Sequence, residues 1–162
     1  MIKVAILTIS DKGSKGERVD TTGAALKELL EKEEYKIEYY KVIPDEMDEI
    51  IEELIKASDN LKVDLILTNG GTGFSKRDIT PEATLKVIKK EVPGIPEAMR
   101  LNSLKITPKA MLSRGVSGIR NSTLIINLPG SPKGSVENIQ VVLPALKHGI
   151  EILKGEVSEC AR

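Results

Sequence analysis

Aromatic residues are nearly missing from this chain: its 162 residues include no Trp, one Phe and three Tyr. Proteins that hold single-stranded nucleic acid stack bases on aromatic rings, and three of the four rings here, Tyr35, Tyr39 and Tyr40, crowd into one stretch. An excess of positive charge is missing too. The 24 Lys and Arg balance 24 Asp and Glu, and no long basic block exists to displace counterions from a duplex. With one cysteine, Cys160, the chain has no intrachain disulfide and no cysteine-based zinc site. The one histidine, His148, has no second His or Cys nearby and reads as structural. No apolar run approaches the roughly 18–20 residues of a membrane helix. The opening MIKVAILTIS is too short for a secretory signal and lacks a small-residue cleavage site. The expectation is a cytoplasmic protein that engages neither nucleic acid nor membrane.

What is present is an ordinary globular balance, 40% hydrophobic and 30% charged. A chain of this length buries roughly 70% of its unfolded surface as one domain, here taken as residues 1–162, without metal or disulfide staples. Lys3–Ser10 is a continuous Val/Ile-rich run, as expected of a strand covered on both faces. Asp20 or Thr21 then caps a helix with Leu26, Leu29 and Leu30 on one face. Tyr35–Ile43 reads as a second strand, ended by Pro44. Asp45 is the expected cap of a helix that buries Met47, Ile50, Ile51, Leu54 and Ile55 and turns Glu46, Glu49, Glu52 and Glu53 outward. Val63–Thr68 is a third strand, and a further helix starts at Thr80-Pro81, with proline at the first helical position.

This alternation predicts an α/β fold, a three-layer α/β/α sandwich on a mainly parallel sheet. The second half adds short helices at Pro96–Leu104 and Pro108–Ser113. Strands at Gly115–Ile119 and Thr123–Leu128, turning at Arg120-Asn121, predict an antiparallel hairpin. A last helix runs from about Ser135 to Lys154, kinked or split at Pro144.

Ligands of open parallel sheets sit beyond the carboxyl ends of the strands. The loops placed there carry Ser10-Asp11-Lys12-Gly13, Pro44-Asp45, Gly70-Gly71-Thr72-Gly73 with Arg77-Asp78, and Pro129-Gly130-Ser131-Pro132-Lys133. Glycines, hydroxyls, basic groups and carboxylates together are what a phosphorylated ligand with a divalent ion requires. The glycine loop lets backbone N–H groups approach an anion, although a ligand-free tight turn has the same composition. It is neither a P-loop, since GxxxxGK[ST] is absent, nor a dinucleotide fingerprint, since Lys76 stands where the third glycine belongs. Asp45 and Asp78 fall just beyond adjacent strands, where one hard cation has room between them, whereas either alone also reads as a cap or a solvated loop acid. Asp11 and Asp20 are weaker candidates for the same ion. The loop around Ser131 and Lys133 precedes a helix N-terminus, a setting that favours anions. No Ser-His-Asp or Cys-His arrangement is visible, which removes acyl-transfer hydrolysis.

The segments Ser10-Asp11-Lys12-Gly13, Thr68-Asn69-Gly70-Gly71-Thr72-Gly73, Arg77-Asp78-Ile79-Thr80-Pro81-Glu82-Ala83 and Leu128-Pro129-Gly130-Ser131-Pro132 resemble the MoaB/Mog family of molybdenum-cofactor biosynthesis proteins. The resemblance runs nearly end to end. The opening SDKGSKGERVDTTG looks closer to the MogA-type molybdopterin adenylyltransferases than to the MoaB-type. It implies a homotrimer that transfers AMP from ATP to molybdopterin with Mg²⁺, releasing diphosphate and passing its product toward a molybdenum-insertion protein. Matched position by position, the family's essential aspartates are Asp45 and Asp78, which would organise Mg²⁺ and the ATP phosphates. Gly70, Gly71, Thr72 and Gly73 would cradle a phosphate. Ser10, Asp11, Pro129, Gly130, Ser131 and Lys133 would line the substrates, with Arg77 either offsetting charge or forming an ion pair, and Phe74 the one ring near the loop. Two alternatives stay open: a MoaB-like protein that holds molybdopterin without turnover, and a related domain that hydrolyses nucleotide metabolites.

Overall fold

The computed structural model describes residues 1–156. Strand β1 (Lys3–Ile9) leads through a single helical turn, α1 (Asp11–Ser14), to helix α2 (Thr21–Lys32). Then come β2 (Lys36–Ile43), α3 (Met47–Ile55), a π-helical turn over Lys56–Asn60 and β3 (Leu65–Asn69). The second half comprises α4 (Thr80–Val87), β4 (Lys90–Glu91), α5 (Gly94–Leu104), a 3₁₀ turn over Pro108–Leu112, β5 (Ser117–Arg120), β6 (Thr123–Leu128) and α6 (Pro132–Leu153). The strands form one sheet of order β2-β1-β3-β6-β5-β4. Neighbours from β2 to β6 are parallel, while β5 and β4 are added antiparallel, the hairpin turning with Asn121 at φ 53°. The α/β architecture and its hairpin are therefore as the sequence pattern implied. Strand β4 had no such signal, because its two residues are both exposed charges.

The apolar runs of the central strands split by the two-residue period of a strand. Val4, Ile6, Leu65, Leu67, Leu124 and Ile126 face α2, α5 and α6, packing on Leu26, Leu30, Met99, Ile139, Leu146 and Ile150. Ala5, Leu7, Ile66 and Ile125 face α3 and α4, packing on Ile50, Leu54, Ala83 and Val87. Two cores on opposite faces of one sheet make the three layers and explain why these strands read as uninterrupted hydrophobic sequence.

Three local expectations are corrected. Asp45 does not cap α3; Glu46 occupies that position without a side-chain hydrogen bond, and the Asp45 carboxylate instead accepts the Asp11 N–H at 3.0 Å. Glu53 does not face solvent. It is buried, and it accepts hydrogen bonds from Tyr39 Oη at 2.7 Å and Lys41 Nζ at 2.5 Å. Burial pushes its carboxyl up, but those donors outweigh it and hold the group below the ordinary range. Helix α6 begins at Pro132 and continues unsplit past Pro144. Pro144 and Gln140, whose carbonyl has no proline N–H to accept, both lie on the exposed side, so that oxygen is open to solvent while Val142 and Leu146 keep the helix on the sheet. Cys160 lies outside the described residues.

Next to the antiparallel half, buried Asn127 ties three elements together. Its Nδ2 donates to Thr68 Oγ1 on β3 and to Thr84 Oγ1 on α4, both at 2.9 Å, and its Oδ1 accepts the Val116 N–H at 3.2 Å. Replacing Asn127 by Ala leaves buried groups unpaired, and we expect Asn127→Ala to lower unfolding free energy by about 2–3 kcal/mol. Urea denaturation checks this; an unchanged midpoint would mean that water replaces the amide.

Candidate active site

Parallel register sets the ends of four strands side by side. Ile9 lies opposite Ile43, Thr8 opposite Asn69, and Asn69 opposite Leu128. The first loop residues stay tied to the sheet: Ser10 N donates to Ile43 O at 2.8 Å, and Gly70 N to Leu128 O at 3.2 Å. The loops after β1, β2, β3 and β6 therefore open on one edge. A cavity of about 610 Å³ lies there, lined by Ser10, Asp11, Asp45, Gly70, Gly71, Asp78, Gly130 and Ser131. A second cavity of about 370 Å³, between α5, the 3₁₀ turn and the start of α6, takes Thr72, Gly73 and Pro129. Ser131 lines both. Lys133 lines neither; as the second residue of α6 it points outward beside Glu137, with its side chain 83% exposed. Phe74 is likewise exposed and borders neither cavity.

The glycine loop is shaped by contact as well as by conformation. Gly70 and Gly71 have φ of 96° and 67°, left-handed values that side chains disfavour. A Cβ on Gly70 would strike the Ile9 carbonyl, and one on Gly71 would strike Thr80 Oγ1 and lie 3.2 Å from Asp45 Oδ1. One on Gly73 would come within 2.9 Å of Asp78 Oδ2. Thr80 closes the turn by donating its hydroxyl to Gly70 O at 3.0 Å, while Thr80 N donates to Gly71 O at 3.1 Å. The loop thus runs past both aspartates at short range.

The carboxylates are interlocked. Asp11 and Asp45 exchange hydrogen bonds, each backbone N–H donating to the other's carboxylate, at 3.0 and 3.1 Å. Arg77 grips Asp11 with two bonds of 2.9 Å and reaches Glu46 at 2.8 Å. Arg77 is therefore an ion-pair residue here. Its donation holds the Asp11 carboxyl below its ordinary value. Asp45 moves the other way: burial raises it, and the charges of Asp11 and Asp78 add to the rise against the Asp11 N–H and Arg77. Asp78 Oδ2 accepts the Ser75 N–H at 3.0 Å.

Sequence reasoning overlooked a polar network on the opposite wall. Asp20 caps α2 by accepting the Gly23 N–H at 2.9 Å, and it also accepts Thr8 Oγ1 at 2.5 Å and the Tyr40 hydroxyl. Asn69 Nδ2 donates to Thr8 Oγ1 at 2.9 Å. Burial and the Asp20 carboxylate push the Tyr40 phenol up to about 12. Thr22 Oγ1 donates to Gly130 O at 2.7 Å, fixing the last loop to α2. The available signal was polar residues, Thr8, Thr68 and Asn69, ending two otherwise apolar strands.

An oxygen-only donor set of Asp45 and Asp78 fits a hard cation such as Mg²⁺, which is typically held by one or two carboxylates together with phosphate oxygens and water. Among the described residues no group of three or more His, Cys, Asp or Glu forms a complete metal cage, so phosphate would have to complete the shell. Among them also, no helix is long and apolar enough to cross a membrane.

Known proteins resemble this chain over most of its length. Residues 5–148 match the family described as "Probable molybdopterin binding domain". The chain is 46% identical over 158 residues to a molybdopterin adenylyltransferase of Helicobacter pylori, covering 95% of this chain and 89% of that protein. It is 40% identical over 156 residues to the Escherichia coli K12 molybdopterin adenylyltransferase, covering 92% and 80%. Among solved structures, the molybdopterin biosynthesis enzyme MoaB of Thermus thermophilus superposes with a TM-score of 0.91 at 51% identity, covering 96% of this chain and 98% of that one.

The raised Asp45 carboxyl makes a pH prediction. Unfolded, the group ionises near 3.8; folded, it ionises higher, so the native state holds the proton longer. The stability this contributes is fully present below 3.8 and is lost as pH rises through the folded value. Asp45→Asn cannot ionise and escapes that loss. We expect the variant to be more stable than the parent at pH 7, with the gap closing as pH approaches 3.8, measured as urea midpoints across that range. A variant less stable at pH 7 would show that the carboxylate is a net stabiliser.

Proposed function

The chain belongs to the molybdopterin-binding-domain family, and from that membership we propose how its cavities perform adenylyl transfer from ATP to molybdopterin. The protein is a molybdopterin adenylyltransferase of molybdenum-cofactor biosynthesis, a nucleotidyltransferase whose substrates are ATP and molybdopterin. The observation that carries the site assignment is the pair of adjoining cavities that meet at Ser131. The cavity with Asp45 and Asp78 takes the ATP phosphates, and the second, walled by Met99, Ile106 and Leu112, takes the flat pterin ring. The terminal phosphate of molybdopterin attacks the α-phosphorus, the bond to the β-phosphate oxygen breaks, and diphosphate leaves with the electron pair. Ser131 accepts the Gly134 N–H through its oxygen at 3.2 Å, and its hydroxyl hydrogen is left for a phosphate at the junction. Gly70 and Gly71 of the glycine loop line the same cavity. Asp45 and Asp78 would hold Mg²⁺, which when bound neutralises polyphosphate charge. Because ATP is the donor, the reaction belongs in the cytoplasm, and the activated pterin goes on to metal insertion.

An apolar surface supports assembly as a homotrimer. Leu101 on α5, Ile106 beyond its end and Met111 on the 3₁₀ turn are 67%, 60% and 64% exposed. These elements also wall the pterin cavity, so a neighbouring copy would steady it. Burying Leu101 and Met111 against a second copy removes apolar surface from water. We expect Leu101→Asp with Met111→Asp to convert the oligomer to monomer in sedimentation experiments; a wild-type protein that sediments as a monomer would overturn this assembly.

Transfer of label from α-³²P-ATP to molybdopterin tests the reaction. Asp78→Ala should lower it by about 10²-fold or more while far-UV circular dichroism stays unchanged. Full transfer by that variant would remove Asp78 from the machinery. Tight pterin binding by the unaltered protein without any label transfer would favour pterin holding without turnover, as the likeness to MoaB allows.

A further inference from the structure

The phosphate cavity poses an electrostatic problem. Four carboxylates line it, Asp11, Asp20, Asp45 and Asp78, and it must accept a polyanion. Arg77 does not solve this, since it is committed to Asp11 and Glu46. The basic side chains that line the cavity are Lys12 and Arg18 alone. Among the described residues, every other arginine is tied to protein oxygen: Arg77 as above, Arg100 to the Ser113 and Gly115 carbonyls, Arg114 to Glu82 and the Gly73 and Asp78 carbonyls, and Arg120 to Asp59 and the Val87 carbonyl. Arg18 has no such partner and stands at the mouth of the cavity. Lys12, on α1, lines the cavity as well.

The segment that carries Arg18 is held loosely. Ser14 through Val19 are exposed without interruption, and Val19 is 82% exposed although it borders the cavity. Gly16 turns the chain with φ 74°, and the backbone bonds around it, Gly16 N to Gly13 O, Glu17 N to Lys12 O and Thr21 N to Val19 O, pass Arg18 by. A segment with few buried contacts and few backbone bonds moves at low cost.

We propose that Arg18, with Lys12, is a polyphosphate clamp: the Lys15–Val19 segment closes over bound ATP and places the guanidinium on its β- and γ-phosphates. This rests on the adenylyl-transfer reading and deepens it. When the bond between the α-phosphorus and the bridging oxygen breaks, that oxygen becomes a terminal diphosphate oxygen and gains negative charge. A guanidinium already paired with the diphosphate meets that charge with two parallel N–H donors, whereas an ammonium offers a point charge. Arg18 is thus a specificity-determining residue for the triphosphate and its leaving group, remote from the pterin.

The test is equilibrium binding of inorganic diphosphate, ATP and AMP to the full chain, alongside steady-state transfer. Arg18→Gln should weaken diphosphate and raise the KM for ATP by about tenfold or more, leaving AMP binding and the KM for molybdopterin unchanged. Arg18→Lys should recover part of the loss, and Lys12→Gln should show a smaller loss of the same pattern. Diphosphate and ATP bound by Arg18→Gln as by the unaltered protein, with transfer intact, would overturn the clamp and leave the adenylyltransferase reading standing. Unaltered protein that binds diphosphate through Arg18 but transfers no adenylyl group would refute that reading and leave the clamp.

Discussion

The left-handed turn at Gly70 and Gly71 is the constraint on which the site depends. It stands where β1, β3 and β6 end together, and no side chain fits there: the Ile9 carbonyl blocks one position, and Thr80 Oγ1 blocks the other. Because the chain reverses so tightly, Asp45 and Asp78 come to flank the same loop although they lie 33 positions apart in sequence. Thr80 then closes the turn from the first residue of α4, so the helix that buries Ala83 and Val87 against the sheet also holds the loop in place. Packing on one face of the sheet and chemistry at its edge share that threonine.

Electrostatics work against the fold at the same place. Burial first, and then the neighbouring charges of Asp11 and Asp78, make Asp45 a carboxyl reluctant to ionise, while Arg77 is engaged with Asp11. A cation and an anionic substrate bound together would relieve it, since the cation pairs with the aspartates and the phosphates pair with the cation and the loop N–H groups. The free protein thus tolerates a local cost that ligands bound there, as proposed, would remove, the usual relation between a functional site and stability. It also explains why Arg77 serves structure: without it, Asp11 would join the repulsion.

What was legible in the sequence was local. The apolar run of β1, the heptad-like spacing of α3, Pro81 at the start of α4 and the glycine cluster each announce an element within ten residues or so, and strand-helix alternation supplies the layers. The carboxyl-end rule then gathered Ser10, Asp45, Gly70, Gly71, Asp78 and Ser131 to one edge, where the structure places them. What was not legible depends on register. Tyr40 looks like one member of an alternating strand; only the pairing of β1 with β2 and the position of α2 bring its hydroxyl to Asp20 and make Thr8 part of the wall. Glu53 looks solvent-facing by helical period, yet Tyr39 and Lys41 on the facing strand draw it in. Lys133 sat in the right motif, and the direction of the first turn of α6 turns it away from both cavities.

The missing residue types noted at the outset become intelligible through the reaction itself. In the proposed reaction the attacking phosphate of molybdopterin is an anion at neutral pH and needs no base; departing diphosphate is an anion and needs no acid. A site for this chemistry has no use for a histidine or cysteine dyad, and among the described residues none lines either cavity. What remains is to bring two polyanions within reach of each other and hold them in line, which is a matter of positioning and charge. In the proposed site, backbone N–H groups at the left-handed glycine turn, two carboxylates for a cation and a cavity junction at Ser131 would supply that. With the pterin placed, as proposed, against Met99, Ile106 and Leu112, its ring would lie on aliphatic walls and need no aromatic ring to stack on, which accords with a chain of four aromatic residues.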